Sequence, residues 1–274
     1  MTFWDHLEEF RKALIQPIIM IAALTIVAFL LKEPLFDIVL AANSPHFITY
    51  QLGDFFSPSP LRDGATEQAF VQLINTELTS QFLMHIKVSF YVALILTIPF
   101  FLFKLFRFVS PGLYQNEREY SKQVMFFSFI AFSIGVLISY FVIFPFSFRF
   151  LANYQVSQEV SNLISLTSYI NTLMTLSILM GIFFELPIMS WLLAAVGLLK
   201  ASFLKQYRRH AIVIIFVISA IITPTTDIFT LMLVSVPILL LYELSIVIVR
   251  IVDRNRHNNI EPSLQEKKDV KENE

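Results

Sequence analysis

Long apolar runs that are almost free of charge recur along this chain of 274 residues, and they constrain its fold more than any other feature. Crossing the hydrocarbon core of a bilayer takes about 20 apolar residues in a helix. A helix also satisfies its own backbone hydrogen bonds, as a lipid environment requires. The sequence therefore predicts an all-α membrane protein with six transmembrane helices. The predicted spans cover about 13–31, 86–106, 124–148, 169–199, 211–222 and 228–249.

The distribution of Lys and Arg predicts the orientation, because cytoplasmic loops carry an excess of these residues. If both termini are cytoplasmic and all six runs cross, only four of the 20 basic residues lie on the outer side. These four are Lys32, Arg62, Lys87 and Arg149. Leaving out the short fifth run would move the basic residues near the C-terminus to the outside. We therefore predict six spans, cytoplasmic N- and C-termini and a long outer loop at 32–85.

Composition divides the chain and excludes several kinds of site. Residues 1–252 form one predicted membrane domain, whose acidic start is unlike that of a cleavable signal peptide. Residues 253–274 are charged and predicted to be a disordered cytoplasmic tail. Cysteine is absent, and the five His residues do not show the spacing of metal ligands. The net charge of −1 attracts no nucleic acid, and we expect no cofactor.

Carboxylates stand out on the predicted cytoplasmic side, because the rest of that side is basic. Glu8 has basic residues at i+3 and i+4, Arg11 and Lys12, which predicts an ordinary helix-surface pair. Glu9 has only Lys12 at i+3 and is the less satisfied acid. Glu117 has no basic residue at i+3 or i+4. It is either an acidic first-turn residue that complements a helix dipole or a binding residue.

Glu185 lies in the middle of the fourth predicted span, followed by Pro187. A carboxylate at this depth costs about 2.5–3.5 kcal/mol on insertion scales and by default suggests a function. The alternative is a protonated side chain bonded to backbone that Pro187 leaves free. Asp227, just before the sixth run, is predicted to cap the N-terminus of that helix rather than to bind a ligand.

Four motifs, in order, resemble those of the TatC family. Residues 6–11 read HLEEFR, similar to the family's N-terminal HLxELR with Phe for the usual Leu. Residues 108–118, FVSPGLYQNER, resemble its first cytoplasmic loop, F-x-x-P-x-L-x-x-x-E-[RK]. Residues 183–187, FFELP, resemble F-E-x-P in the fourth span. Residues 223–227, TPTTD, resemble the T-P-x-D turn with one extra residue. The resemblance covers about 3–250.

The resemblance implies a cup-shaped six-span bundle that acts as the receptor core of the twin-arginine translocase in the bacterial inner membrane. TatC-like proteins bind the signal peptides of folded cargo, in which two arginines precede an apolar stretch. By the motif positions, Glu9 and Glu117 are the two arginine-binding carboxylates. Phe108, Arg11 and Glu8 belong to the same signal-peptide site.

The resemblance also implies partners within the lipid bilayer. These are small single-span subunits of the TatA and TatB type, together with further copies of the chain in a receptor complex. Glu185, with Pro187, is then expected either to contact the membrane helix of a partner or to form a watery concavity that thins the bilayer. Asp227 is expected to stand in an outer turn. The implied energy source is the proton motive force.

Two other classes of membrane protein are alternatives to a receptor. A proton-coupled small-solute transporter that uses Glu185, alone or together with Glu243, would explain an acid inside the membrane but not the acidic motifs on the cytoplasmic side. An intramembrane hydrolase needs a nucleophile and a base within the bilayer, and no predicted span contains a deep His. We therefore expect a receptor and not an enzyme.

Overall fold

The computed structural model describes residues 3–44, 46–51, 72–109, 118–155, 157, 162–195, 197–223 and 227–272. Within these ranges, side chains are described except at 3–6, 9, 105–109, 118–125 and 255–272. The helices in chain order are α1 (Phe3–Leu30), α2 (Lys32–Ala41), α3 (Ser80–Val109), α4 (Arg118–Ile138), a π-helical turn (Ser139–Ile143), α5 (Phe144–Asn153), α6 (Leu166–Phe184), α7 (Leu186–Ala195), α8 (Ala201–Gln206), α9 (Arg208–Ile222) and α10 (Ile228–Glu272).

Five apolar segments of the described chain are long enough to cross a membrane, and each overlaps most of one of the predicted runs. They are Phe10–Leu30, Ser80–Lys104, Phe126–Asn153, Leu166–Ala195 and Ile228–Arg254. The predicted span at 211–222 lies in α9, which has only 15 residues. At 1.5 Å per residue this helix is about 22 Å long. It is therefore shorter than the hydrocarbon core of about 30 Å.

Three boundaries differ from the sequence-based expectation. The predicted outer loop at 32–85 contains the whole of α2 and the first turns of α3. The third span continues past 148 to Asn153, because a π-helical turn carries the helix through Pro145. The fourth run, expected to be continuous over 169–199, is divided at Glu185. Pro187 has no N–H to continue the hydrogen bonding of α6.

The backbone of α10 is helical to Glu272, and the disorder of the tail at 253–274 stays a prediction. Helix propagation needs only one further hydrogen bond per residue once a nucleus exists. The packed part of α10 supplies that nucleus, which composition alone does not reveal.

The helices pack as a row in which each spanning segment contacts its neighbours. In sequence along the row, α1 packs on α3, α3 on α4, α4 on α6, α7 on α10 and α10 on α9. The end of α1 meets the start of α3, since Phe29 stacks on His85 with ring centroids 4.1 Å apart. These two helices are therefore antiparallel. The start of α1 and the end of α3 thus lie at the same end of the bundle.

The opposite end holds much of the buried core, centred on α2. A helix end leaves its last carbonyls without helical partners, and here tyrosine hydroxyls take several of them. Tyr140 donates to the Ile38 carbonyl at 2.6 Å, Tyr169 to Val39 at 3.0 Å and Tyr50 to Ala42 at 3.0 Å. The amides of Asn43 and Ser44 bond to Leu40 and Ala41, both at 2.9 Å. We call this set of hydroxyl-to-carbonyl bonds the tyrosine clasp.

The tyrosines of the clasp are held by aromatic packing and by burial. Tyr169 is 1% exposed and meets the rings of Phe144 and Phe148 edge-on, with centroids 5.0 and 5.1 Å away. Burial raises the pKa of Tyr50 to about 12, although the nearby Arg149 opposes the shift. The Tyr50 hydroxyl therefore stays protonated, and remains a donor, at any physiological pH.

A close crossing of α4 and α6 depends on two glycines. A Cβ on Gly135 would lie 2.6 Å from the Met180 carbonyl oxygen and 2.9 Å from the Cα of Gly181. A Cβ on Gly181 would lie 2.6 Å from the ring of Phe132. Because the atoms nearest Gly135 are backbone, the helices can approach this closely only without a side chain there.

We expect Tyr169→Phe to lower the melting temperature of the purified protein. The change removes the donor to a buried carbonyl, which costs about 1–3 kcal/mol. Thermal unfolding in detergent, followed by circular dichroism, measures the effect. Tyr207→Phe is the matched control, because Tyr207 is 43% exposed. Equal melting of the two variants and the unchanged protein would contradict the role given to the clasp.

Gly135→Ala is expected to destabilise the bundle by about 1–3 kcal/mol, the usual cost of overpacking. Ile134→Ala is the control on the same helix, since Ile134 is 43% exposed. The yield of monodisperse protein on size-exclusion chromatography and the melting temperature both report the loss. A Gly135→Ala protein as stable as Ile134→Ala would show that the helices are not in contact here.

Candidate functional site

The first acidic pair of the sequence lies in the first turns of α1. Glu8 Oε1 is 2.9 Å from Lys12 Nζ, and the two side chains are 54% and 62% exposed. This is the i,i+4 pair that the spacing predicts, worth a few tenths of a kcal/mol at such exposure. Arg11 is also exposed. The side chain of Glu9 lies outside the described residues.

The remaining predicted signal-peptide residues belong to the connection between α3 and α4. Phe108 is in the last turn of α3, but its side chain lies outside the described residues. Glu117 also lies outside them, directly before α4 begins at Arg118. The backbone therefore brings the start of α1, the end of α3 and the start of α4 to one end of the bundle. The distances between the three side chains are not part of the described structure.

This end of the bundle also contains polar contacts that join α10 to α8 and to the first residue of α9. Arg208 Nε is 2.5 Å from Glu243 Oε1, and the side chains are 54% and 41% exposed. The Asp253 carboxylate accepts from the Ala201 amide at 2.7 Å and so caps α8. The Tyr242 hydroxyl donates to the Leu204 carbonyl at 2.8 Å. Glu243 is thus a partner of Arg208 at the end of the bundle.

Asp227 is at the opposite end and acts as the predicted cap. Its Oδ1 accepts from the Thr230 amide at 2.6 Å, and its carbonyl accepts from the Leu231 amide at 3.2 Å. The prediction that Asp227 begins the sixth span as an N-cap is therefore confirmed. Residues 224–226 of the same motif lie outside the described residues.

Glu185 occupies the single non-helical position between α6 and α7, where it is 4% exposed. The Ser128 hydroxyl of α4 donates to Glu185 Oε2 at 2.8 Å. Glu185 Oε1 is buried and has no hydrogen-bond partner among the described residues. The donor is thus a hydroxyl from another helix rather than backbone freed by the buried Pro187 next to it.

Ser128 is the residue that sequence reasoning missed at this site. It stands 57 positions before Glu185, and no periodicity connects the two. The two come together because α4 and α6 cross closely at Gly135 and Gly181, with Ser128 and Glu185 one or two turns from that crossing. Among the described residues, no group of three or more His, Asp and Glu side chains could hold a metal ion.

The comparisons with known proteins agree on one family. The family model described as Sec-independent protein translocase protein (TatC) matches residues 5–237. A TatC of Blattabacterium is 32% identical over 260 residues, which is 93% of this chain and 97% of that protein. A TatC of Deinococcus radiodurans is 32% identical over 248 residues, covering 90% and 85% of the two chains.

A solved structure is also similar to this one. It is described as the crystal structure of the twin-arginine translocase receptor TatC, and it superposes with a TM-score of 0.73 at 31% identity. The match covers 90% of this chain and 99% of that chain. This confirms the predicted fold class, an all-α, cup-shaped bundle of six membrane helices. The chain therefore belongs to the TatC family, whose members are components of a Sec-independent protein translocase and are not enzymes.

Proposed function

We propose that this chain is the receptor of a twin-arginine translocase in a bacterial inner membrane, with Glu9 and Glu117 as the binding groups for the two arginines. The observation that carries the proposal is the shared location of the start of α1, the end of α3 and the start of α4 at one end of the bundle. Glu9 belongs to the first of these segments, and Glu117 directly precedes Arg118, the first residue of α4, in the sequence. The solved relative, whose description calls it a receptor, supports the same role.

The chemistry of arginine and glutamate supports this choice of residues. Guanidinium is planar and permanently charged, and it pairs with a carboxylate through two parallel hydrogen bonds. Glu8 is already in contact with Lys12, whereas Glu9 has only Lys12 at i+3, so Glu9 suits an incoming arginine better. We propose that Phe108 contacts the apolar part of the peptide and that Arg11 and Glu8 lie at the rim of the signal-peptide site.

The orientation that this function needs follows from the basic residues. All but four of the 20 Lys and Arg residues lie on the side of the N-terminus when six segments cross. The positive-inside rule then places both termini, Glu9 and Glu117 in the cytoplasm, where signal peptides are presented.

Partner recruitment is the second part of the proposal. A single row of six helices with one short member encloses no wide pore, so partner subunits with single spans must complete the path for folded cargo. Glu185 Oε1 is a buried acceptor without a donor in the described chain, and we propose that a partner helix supplies one by displacing the side chains that now cover it. Pro187 lies just after the helix break at Glu185.

We also expect several copies of the chain in the receptor complex and the proton motive force as the energy source of transport.

The binding site is tested by peptide affinity. We expect Glu9→Gln and Glu117→Gln each to weaken binding of a twin-arginine signal peptide about tenfold or more, since a hydrogen bond to a charged group contributes about 1.5–3 kcal/mol. Fluorescence anisotropy with the protein in nanodiscs measures the affinity. Glu33→Gln is the matched control, because Glu33 is an exposed acid in the first turn of α2, at the other end. Unchanged affinity in the Glu9→Gln, Glu117→Gln double variant would remove these residues from the site.

The partner contact is tested by co-purification of a single-span partner subunit. Interhelical polar contacts in membranes contribute about 0.6–2 kcal/mol, so Glu185→Ala should reduce recovery of the partner about threefold to thirtyfold. Ser128→Ala is the informative control, because it removes the internal donor and keeps the acid. If Ser128→Ala caused the same loss as Glu185→Ala, the carboxylate would serve its own bundle and not a partner.

A further inference from the structure

A shallow groove of about 380 Å³ opens on the surface at the end of the bundle that carries the tyrosine clasp. It follows the seam between the last turns of α5 and the first turn of α10. Six described residues line it: Phe146, Arg149, Phe150, Asn153, Tyr154 and Phe229. None of them belongs to the signal-peptide motifs or to the surroundings of Glu185.

The walls of the groove are aromatic and open to the membrane. Phe146 and Phe150 stand one turn apart on the same face of α5, and Phe150 stacks on Phe229 of α10 with centroids 4.3 Å apart. Their exposed fractions are 39%, 38% and 40%. The two apolar segments that meet here end at Asn153 and begin at Ile228. The groove is therefore at the boundary between hydrocarbon and headgroups, where acyl chains and phosphates are both in reach.

Arg149 brings a positive charge into this apolar setting. Its guanidinium stands 5.3 Å from the centre of the Tyr50 ring. The ion pairs among the described residues join Glu8 to Lys12 and Arg208 to Glu243, so Arg149 has no carboxylate partner there. A cation near the membrane interior is stable when a counter-charge or water meets it. The ring of Tyr50 supplies only part of that compensation.

We propose that this groove binds one anionic phospholipid, with an acyl chain against the phenylalanines and the phosphate on Arg149. Arginine and phosphate pair in bidentate fashion. The described lining contains no carboxylate that would hold the ammonium group of a zwitterionic headgroup. Asn153 and Tyr154 instead offer neutral hydrogen-bonding groups for the hydroxyls of a glycerol headgroup. The bound lipid would hold α5 and α10 together beside Tyr50 and thereby brace the clasp.

The site is tested with a tryptophan reporter at the groove, Phe229→Trp, in vesicles that contain brominated phosphatidylglycerol or brominated phosphatidylethanolamine. Bromine quenches only a tryptophan that it touches, and the same protein without the reporter gives the background from Trp4 and Trp191. We expect phosphatidylglycerol to quench the reporter about fivefold more effectively per mole, the factor expected from one basic residue at an anionic surface. Arg149→Gln in the reporter background should abolish this preference.

Lys32→Gln is the matched control, since Lys32 is an exposed cation in the first turn of α2, at the same end of the bundle. It should leave the preference unchanged, and melting temperatures confirm that every variant is folded. Equal quenching by the two lipids in the reporter protein would overturn the proposal, and so would an absence of quenching. A preference that survives Arg149→Gln would equally overturn it. The measurement uses no signal peptide, so its outcome is independent of the receptor role.

Discussion

The end of helix α2 imposes the constraint on which much of the structure depends. Backbone carbonyls at a helix terminus must find donors, and close to lipid there is little water to provide them. In this chain the donors are the hydroxyls of Tyr50, Tyr140 and Tyr169. They come from three separate segments, so satisfying one helix end fixes the outer loop, the π-helical turn and α6 relative to one another. Thr49 adds a further tie by donating to the Phe141 carbonyl in the π-helical turn.

The clasp gives the bundle two different ends. At the clasp end, large aromatic side chains are buried, and the Ile74 backbone pairs with residues 164 and 166. At the other end, the described contacts are exposed ion pairs, the Asp253 cap and one tyrosine bond. Exposed pairs of this kind contribute little stability. The clasp therefore holds the spans in position at its own end of the bundle, whereas the contacts described at the other end are mainly exposed and polar.

Sequence reasoning succeeds here where a feature is local. The apolar runs, the pair of Glu8 with Lys12 and the cap made by Asp227 all depend on spacings of a few residues, and the structure has each of them. It fails where a feature depends on which helices become neighbours. Neither the bond from Ser128 to Glu185 nor that from Tyr169 to Val39 could be anticipated, because 57 and 130 positions separate the partners. Pro187 indicates in the sequence that the fourth span is divided. It does not indicate that the division places Glu185 against Ser128 of α4.

The most direct test of the receptor proposal is photo-crosslinking from positions 9 and 117 to a signal peptide, with a photoreactive amino acid at either position. The peptide is compared with the same peptide in which both arginines are lysines. Crosslinks from both positions that disappear with the lysine peptide are the predicted result, because lysine cannot form the bidentate pair. Equal crosslinking of the two peptides, or none from either position, would contradict the assignment of this end of the bundle as the twin-arginine receptor site.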